Sequence, residues 1–394
     1  MTRAQPTGTT EPTAGHTTGP RTHVPALDGL RGVAIIGVLV FHSGHLSGGF
    51  LGVDLFFALS GYLITDLLLR EVHATGTVSL VAFWGRRVRR LLPALATVLA
   101  AVTVLVWAVG PPDLVRTTLS DGPWVQLNLV NWHLLAESAS YWDSFGASRV
   151  FEHLWSVAVE EQFYLVWPAL LLVVAPRGRS WVAGVAGVGS VLSLVSMVVL
   201  VSADPTRVYT GTDTRAFSLL LGALVATLPV YAVGRWAGGV LAVLATGLGV
   251  SWLLVDGVDS PWLFTGGLFA HSLASALLIW LCVRAPRTRV ATALAWRPLR
   301  WLGLVSYSLY LWHWPVLVLL APDGWPGTAV ACGVSVGLAA LSKYLVEDPI
   351  RFRATWARGR SGTFAFAAVM VVLAVLWLVL PAPAPPTIEV TDLG

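Results

Sequence analysis

The stretch "LDGLRGVAIIGVLVFHSG", residues 27–44, is apolar over almost the length needed to cross a bilayer, yet it carries Arg31 near one end and His42 near the other. A span needs about 20 mostly apolar residues, and an ionisable side chain inside one usually faces a protein interior. Eleven positions at about 100° each bring His42 to within about 20° of Arg31, about 16 Å further along the axis. One face of one helix therefore carries both groups. An anchoring arginine and a buried histidine would be the plain reading of either residue alone.

The whole chain repeats this pattern. Its 394 residues are 56% hydrophobic and 12% charged, with a mean hydropathy of +0.73. Soluble domains average about 25% charged residues, so this is an integral membrane protein. Eleven segments have the composition of spans: 27–46, 50–69, 91–110, 154–175, 181–202, 215–233, 236–255, 261–283, 301–320, 327–346 and 363–380. The segment 50–69 is the most interrupted, by Gly52, Asp54, Ser60, Gly61 and Asp66. The expected fold is an all-α polytopic bundle of about 10–11 transmembrane helices in the cell membrane. With the N-terminus inside, alternate loops gather 20 of the 25 Lys and Arg residues, leaving Arg116, Arg149, Arg207 and Arg215 outside and Arg31 at the start of the first span. The net charge of +4 is thus a topology signal, and a nucleic-acid partner is not expected. Residues 1–24, rich in Thr, Pro and Gly, read as a disordered cytoplasmic tail. Residues 111–153 form the longest outer connection, with Trp124, Trp132, Tyr141 and Trp142 suited to the membrane interface. Cys282 and Cys332 have no metal-ligand or redox spacing, and no metal is expected.

The remaining polar residues form a short series of motifs. "GGFLGVDLFFALSGYLIT", residues 48–65, places Asp54 close to the level of His42, where a carboxylate could orient an imidazole. Gly52 and Gly61 allow another backbone to come close. "FWGRRVRRLLPAL", residues 83–95, sets Arg87 and Arg90 one helical turn apart, and guanidinium forks suit phosphate. An ordinary positive-inside cluster against anionic lipid would look the same. "EHLWSVAVEEQFYLVWP", residues 152–168, puts Glu160 and Glu161 inside a span, about 100° apart, so one of them should face a site. "VSYSLYLWHWPVLVL", residues 305–319, aligns Tyr307, Tyr310 and Trp314, with His313 one turn beyond Tyr310. In "YLVEDPIR", residues 344–351, Glu347 and Arg351 are four apart, but Pro349 argues against a continuous α-helix. Asp66 and His271 have no evident companions in the sequence.

Taken together and in order, R-x10-H (Arg31, His42), "GGFLGVDLFF", "RRVRRLLP", "WSVAVEEQFY", "YSLYLWH" and "EDPIR" resemble the acyltransferase 3 family of integral membrane O-acyltransferases. They run across residues 25–353, and Val157 stands where the family often has leucine. The resemblance implies transfer of an acyl group from acyl-CoA, acetyl-CoA foremost, to a hydroxyl of a carbohydrate or glycosylated acceptor, with no metal. It implies a membrane acyltransferase domain over 25–355, followed in 356–394 by one more transmembrane helix and a short extracytoplasmic tail. Some members carry an extracellular hydrolase-like domain, whereas here "PAPAPPTIEVTDLG" follows the last span, which makes acceptors needing that domain less expected. Arg31, Arg87 and Arg90 would anchor the phosphates of CoA. His42 would act as general base or as acyl carrier, Asp54 would orient it, and Glu160 would shuttle a proton or hold the acceptor. Tyr307, Tyr310 and His313 would line the cavity. A transporter or flippase for a lipid-linked sugar is the alternative that buried charges and an aromatic lining also allow.

Overall fold

A computed structural model describes residues 23–142, 149–201, 205–229, 233–257 and 260–384. The tail expected over 1–24 therefore falls outside it except for His23 and Val24, and so do residues 385–394 of the last segment. The described residues fold into fifteen α-helices: α1 (Pro25–His42), α2 (Gly52–Thr75), α3 (Leu80–Val109), α4 (Pro112–Gln126), α5 (Val130–Ala136), α6 (Trp155–Val174), α7 (Arg179–Leu200), α8 (Pro205–Thr210), α9 (Thr212–Ala226), α10 (Ala237–Leu254), α11 (Gly267–Arg284), α12 (Arg289–Leu294), α13 (Arg297–Leu320), α14 (Gly324–Leu341) and α15 (Gly359–Val379). Among the described residues, ten helical stretches are long and apolar enough to cross a membrane, so the chain is a multi-pass helical membrane protein. The segment 50–69 is part of one of them, an unbroken helical run over Ser47–Thr75.

One expected span is shorter than its composition suggests. The segment 215–233 forms α9, only 15 residues long, yet it runs parallel to α2, and counting it as a crossing is what lets α13 run parallel to α1. The helix starts earlier, at Thr212, and stops before Pro229. Arg215, expected in an outer loop, is wholly buried inside it.

Two parallel pairs of helices build the centre. Helix α1 runs beside α13 in the same direction, Asp28 lying at Gly303 and His42 at His313. A Cβ at Gly303 would stand 1.8 Å from the carbonyl oxygen of Asp28, so only glycine permits this approach. Helix α2 runs beside α9 in the same way, and a Cβ at Gly61 would stand 1.8 Å from the Leu219 carbonyl oxygen. Small residues at such crossings replace the hydrophobic drive that lipid cannot supply. Helix α6 packs on α2, bringing Glu160 and Tyr164 to Ser60, and Trp167 to Thr65.

Helices α4 and α5 lie in the connection 111–153, α4 packing on α3 and α15 and α5 on α6. Arg149 ties them together: its guanidinium donates to Asp121 of α4 at 2.5 Å and to Glu137 just past α5. His133 approaches the same two carboxylates at 3.2 and 3.4 Å and stacks on Trp124. The oxygen and nitrogen atoms of Asp121, His133 and Glu137 lie close enough to share an ion, but the Arg149 cation already bridges both carboxylates.

Burial pushes the Asp121 carboxyl up to about 7, with Arg149 opposing the shift. An acid whose pKa is raised on folding loses its contribution to stability as pH rises from the unfolded value to the folded one. The difference in Tm between Asp121→Asn and the parent, measured in detergent, is expected to rise with pH from about 4 to about 7 and then to level off. A difference that does not change over that interval would show that the carboxyl titrates normally.

Candidate active site

The charged residues of the spans divide into two groups with opposite surroundings. The first is neutralised inside the bundle. Asp54 Oδ1 accepts hydrogen bonds from Arg215, Ser218 and Ser272, each at 2.9 Å, joining α2, α9 and α11. Both members of the ion pair have fully buried side chains, and the Arg215 guanidinium lies 4.8 Å from the Tyr209 ring centroid. Asp54 was expected to orient His42, and it does not. Its near oxygen is saturated by the α9 and α11 donors, and the side-chain partner of the imidazole is His313 instead. Asp66 pairs with Arg70, and His271 accepts the Trp252 indole N–H at 3.1 Å.

The second group converges on a cavity of about 410 Å³ between α1, α2, α3, α6 and α13. Arg31, Arg87, Arg90, Glu160, Tyr307 and Tyr310, all expected at the site, line it. Among the described residues, Arg31, Arg87 and Arg90 form no ion pair; Arg87 lies against the rings of Phe83 and Tyr164. Glu160 accepts hydrogen bonds from Ser60 and Tyr164, while its neighbour Glu161 is not among the lining residues, as the 100° offset suggested. Tyr307 donates to the Leu91 carbonyl at 3.1 Å, fixing α13 beside the Arg90 turn.

The cavity gains three residues to which the sequence had assigned no role. After α14 the backbone opens into π-helical turns over Ser342–Glu347 and Pro349–Arg353, a conformation often found at functional sites. Pro349 begins the second turn, so the chain neither continues as an α-helix nor breaks away. Lys343, Glu347 and Arg351, four apart, all reach the cavity. Glu347 accepts the Ser308 hydroxyl, and Lys343 pairs with Asp348 at 3.3 Å. Arg351 rests on the Phe352 ring and, among the described residues, forms no ion pair.

Beyond the inner end of the cavity lies a cluster of imidazoles. Ser156 and Tyr310, both lining residues, share a hydroxyl hydrogen bond of 2.7 Å, and Tyr310 also donates to the His153 carbonyl at 2.8 Å. Behind them His313 contacts three side chains, with His42 Nδ1 at 3.0 Å and the ring centroids of His153 and Tyr310 at 5.3 and 5.2 Å. Trp314 packs on His42 at 4.9 Å and donates to the Arg149 carbonyl at 2.9 Å. His42 and His313 therefore do not line the cavity; they stand behind its last polar contact. His153 was missed in the sequence, because it sits outside the apolar run of α6 in a short 3-10 turn (Glu152–Leu154) and no spacing ties it to His42 or His313.

A membrane bundle with an arginine-rich cavity leading to buried histidines is the class of protein this arrangement defines. The chain matches the family described as an acyltransferase domain over residues 24–382, and it belongs to that acyltransferase 3 family. The Bacillus subtilis protein YrhL is 38% identical over 360 residues, covering 85% of this chain and 56% of its own length. The peptidoglycan O-acetyltransferase OatA of Listeria monocytogenes is 36% identical over 84% of this chain and 56% of its own. The O-acetyltransferase OatA of Staphylococcus aureus is 33% identical over 90% and 62%. The chain thus spans a little over half the length of the curated relatives it matches. No solved structure matches it.

Removing one partner of a buried ion pair leaves the other charge uncompensated and costs about 3–5 kcal/mol. Asp54→Ala and Arg215→Ala are each expected to lower thermal stability in detergent by that order, with a smaller further loss in the double variant. Additive losses in the double variant would show that the two charges do not depend on each other.

Proposed function

We propose that the chain is a membrane O-acyltransferase that takes an acyl group, acetyl foremost, from acyl-CoA and delivers it to a hydroxyl of a carbohydrate acceptor. The observation that carries this reading is the set of guanidinium groups at one cavity, Arg31, Arg87, Arg90 and Arg351, with no carboxylate paired to any of them among the described residues. Cations left without partners in a membrane protein are costly unless a ligand supplies the counter-charge. The phosphates of CoA match that need, and planar forks bind phosphate bidentately. The names of the Listeria and Staphylococcus relatives support acetyl transfer, and the Listeria name supports a glycan acceptor.

In this reading the N-terminus and the cavity mouth face the cytoplasm, where the positive-inside bias puts them and where CoA resides. The phosphates rest on the arginines, and the thioester arm passes the Ser156–Tyr310 hydroxyl pair toward His42, about 16 Å along α1 from Arg31. His42 is the general base for the acceptor hydroxyl or the acyl carrier, and Glu160, hydrogen-bonded to Ser60 and Tyr164, handles a proton at the cavity wall. Asp54, held by Arg215, has a supporting part: it secures α2 to α9 and α11.

Arg87→Ala, Arg90→Ala and Arg31→Lys are each expected to raise KM for acetyl-CoA about 10- to 100-fold with a smaller change in kcat. His42→Ala should keep acetyl-CoA affinity and lower transfer by about 10²–10⁴-fold. Full transfer by His42→Ala would reject the role of that residue. A purified parent protein that neither binds nor turns over acetyl-CoA would reject the enzyme reading in favour of transport. For sidedness, a cysteine at His23, in a background lacking Cys282 and Cys332, should resist a membrane-impermeant maleimide in intact cells and react after permeabilisation. Labelling in intact cells would invert the assigned orientation.

A further inference from the structure

We infer that His313 is a positioning residue that fixes the tautomer of His42, with the proton on Nδ1 and the lone pair on Nε2. The inference rests on the acyltransferase reading for its use but on geometry for its content. His313 Nδ1 lies 2.7 Å from the main-chain oxygen of Tyr310. A carbonyl oxygen only accepts, so this nitrogen carries the proton. In the neutral ring the other nitrogen, Nε2, is then an acceptor. It faces His42 Nδ1 at 3.0 Å, so His42 must be the donor there. The chain of hydrogen bonds runs in one direction, from His42 Nδ1–H to His313 Nε2 and from His313 Nδ1–H to the Tyr310 carbonyl. A second proton on His313 would reverse the His42 contact, but the rings packed against it, those of His42, His153 and Tyr310, bring no carboxylate to hold that proton.

The surroundings hold His313 in that orientation. It is buried, packed edge-on against the His153 ring and tilted against Tyr310, whose hydroxyl is itself fixed by Ser156 and the His153 carbonyl. Trp314, next in sequence, lies against the His42 ring and is anchored to the Arg149 carbonyl. His42 is thus gripped by two successive residues of α13, one setting its protons and the other its plane.

The tautomer serves either route of transfer. As a base, Nε2 takes the proton of the acceptor hydroxyl while the hydroxyl oxygen bonds to the acyl carbon and the carbon–sulfur bond of the thioester breaks. The proton then returns from Nε2 to the departing thiolate, giving ester and free CoA. As a carrier, Nε2 bonds to the acyl carbon while the carbon–sulfur bond breaks and the thiolate departs. The hydroxyl oxygen then bonds to that carbon as the Nε2–carbon bond breaks, and the hydroxyl proton passes by way of the freed Nε2 to the thiolate, giving ester and free CoA. In both cases the imidazolium or acyl-imidazolium that forms is supported by its Nδ1–H bond to His313, the part a buried carboxylate plays in a serine-protease triad.

Two-bond nitrogen–proton NMR on protein labelled with [15N]histidine in detergent reads the tautomer directly, the His42 signals being assigned by their loss in His42→Gln. The parent should show Nδ1 protonated and Nε2 bare on His42, and the reverse pattern overturns the proposal whatever the variants do. In His313→Leu, the His42 signals should move toward the Nε2–H form, and kcat for CoA release from acetyl-CoA should fall by about 10²–10⁴-fold, as for a wrong tautomer. KM for acetyl-CoA should change less than threefold. His313→Gln, which places an amide oxygen near the position of Nε2, should recover at least tenfold of that loss and restore the Nδ1–H signal. An unchanged kcat in His313→Leu also overturns it. A parent that shows the expected tautomer yet never turns over acetyl-CoA would sink the acyltransferase reading and leave the tautomer assignment standing.

Discussion

The contact between Gly303 and the Asp28 carbonyl sets the register on which the rest of the site depends. With no side chain at that point, α13 can lie directly against α1 and run parallel to it. Register at one end then fixes register at the other. Asp28 falls beside Gly303, and His42 falls beside His313. Any side chain at 303 would push the helices apart by the better part of a Cβ radius, and a 3.0 Å hydrogen bond between two imidazoles tolerates little of that. The same device at Gly61 holds α2 against α9 and so brings Asp54 to Arg215. Close backbone contact is how this bundle converts an apolar sequence into defined polar geometry.

Buried charge is handled in two ways, and the difference separates scaffold from site. Asp54 and Arg215 neutralise one another, and Ser218 and Ser272 add donors to the same carboxylate oxygen. Such a pair neutralises both charges and fixes three helices to one another. Around the cavity, Arg31, Arg87, Arg90 and Arg351 are held by rings and by position, with Glu160 and Glu347 occupied by hydroxyl donors instead of by guanidinium groups. Hydroxyl partners satisfy a carboxylate without consuming a cation, so the arginines keep their charge for an incoming anion. The chemistry of the partners, more than the presence of charge, marks this as the place where a ligand belongs.

Much of this was legible before any coordinates. Arg31 and His42 declared themselves because a helix of 3.6 residues per turn leaves them on one face, and Arg87 with Arg90 because one turn separates them. That Tyr307, Tyr310 and Glu160 line the cavity was implied by the family resemblance; periodicity alone gave the two tyrosines one face and only one of the paired glutamates a place at a site. What periodicity cannot reveal is the partner across a helix interface. Asp54 shares a level with His42 in the sequence, but α2 turns its carboxylate toward α9, and nothing in the sequence of α2 records where α9 will lie. Arg215 looked like a loop residue because a charge within an apolar run usually marks the end of a span, whereas here it is held inside by the ion pair. His153 and the π-helical turns after Leu341 were hidden for a related reason: one lies outside any periodic segment, and the other breaks the period itself.

On the acyltransferase reading proposed above, the two ends of the site make opposite demands, and their separation along one helix meets both. A phosphate-bearing donor needs access and several cations, which suits a cavity lined by arginine side chains. Proton transfer needs a ring with one tautomer in one plane, which suits an enclosed position packed by aromatic residues. Placing both functions at one depth would either flood the imidazoles with water or bury the cations where nothing could reach them. Helix α1 resolves the conflict by length, with Arg31 at the cavity and His42 behind the Ser156–Tyr310 contact. Tyr310 belongs to both environments: its hydroxyl meets Ser156 at the end of the cavity, while its main-chain oxygen orients His313. A rearrangement of α13 that admits a donor arm past that hydroxyl would therefore be felt by the hydrogen-bond chain that prepares His42.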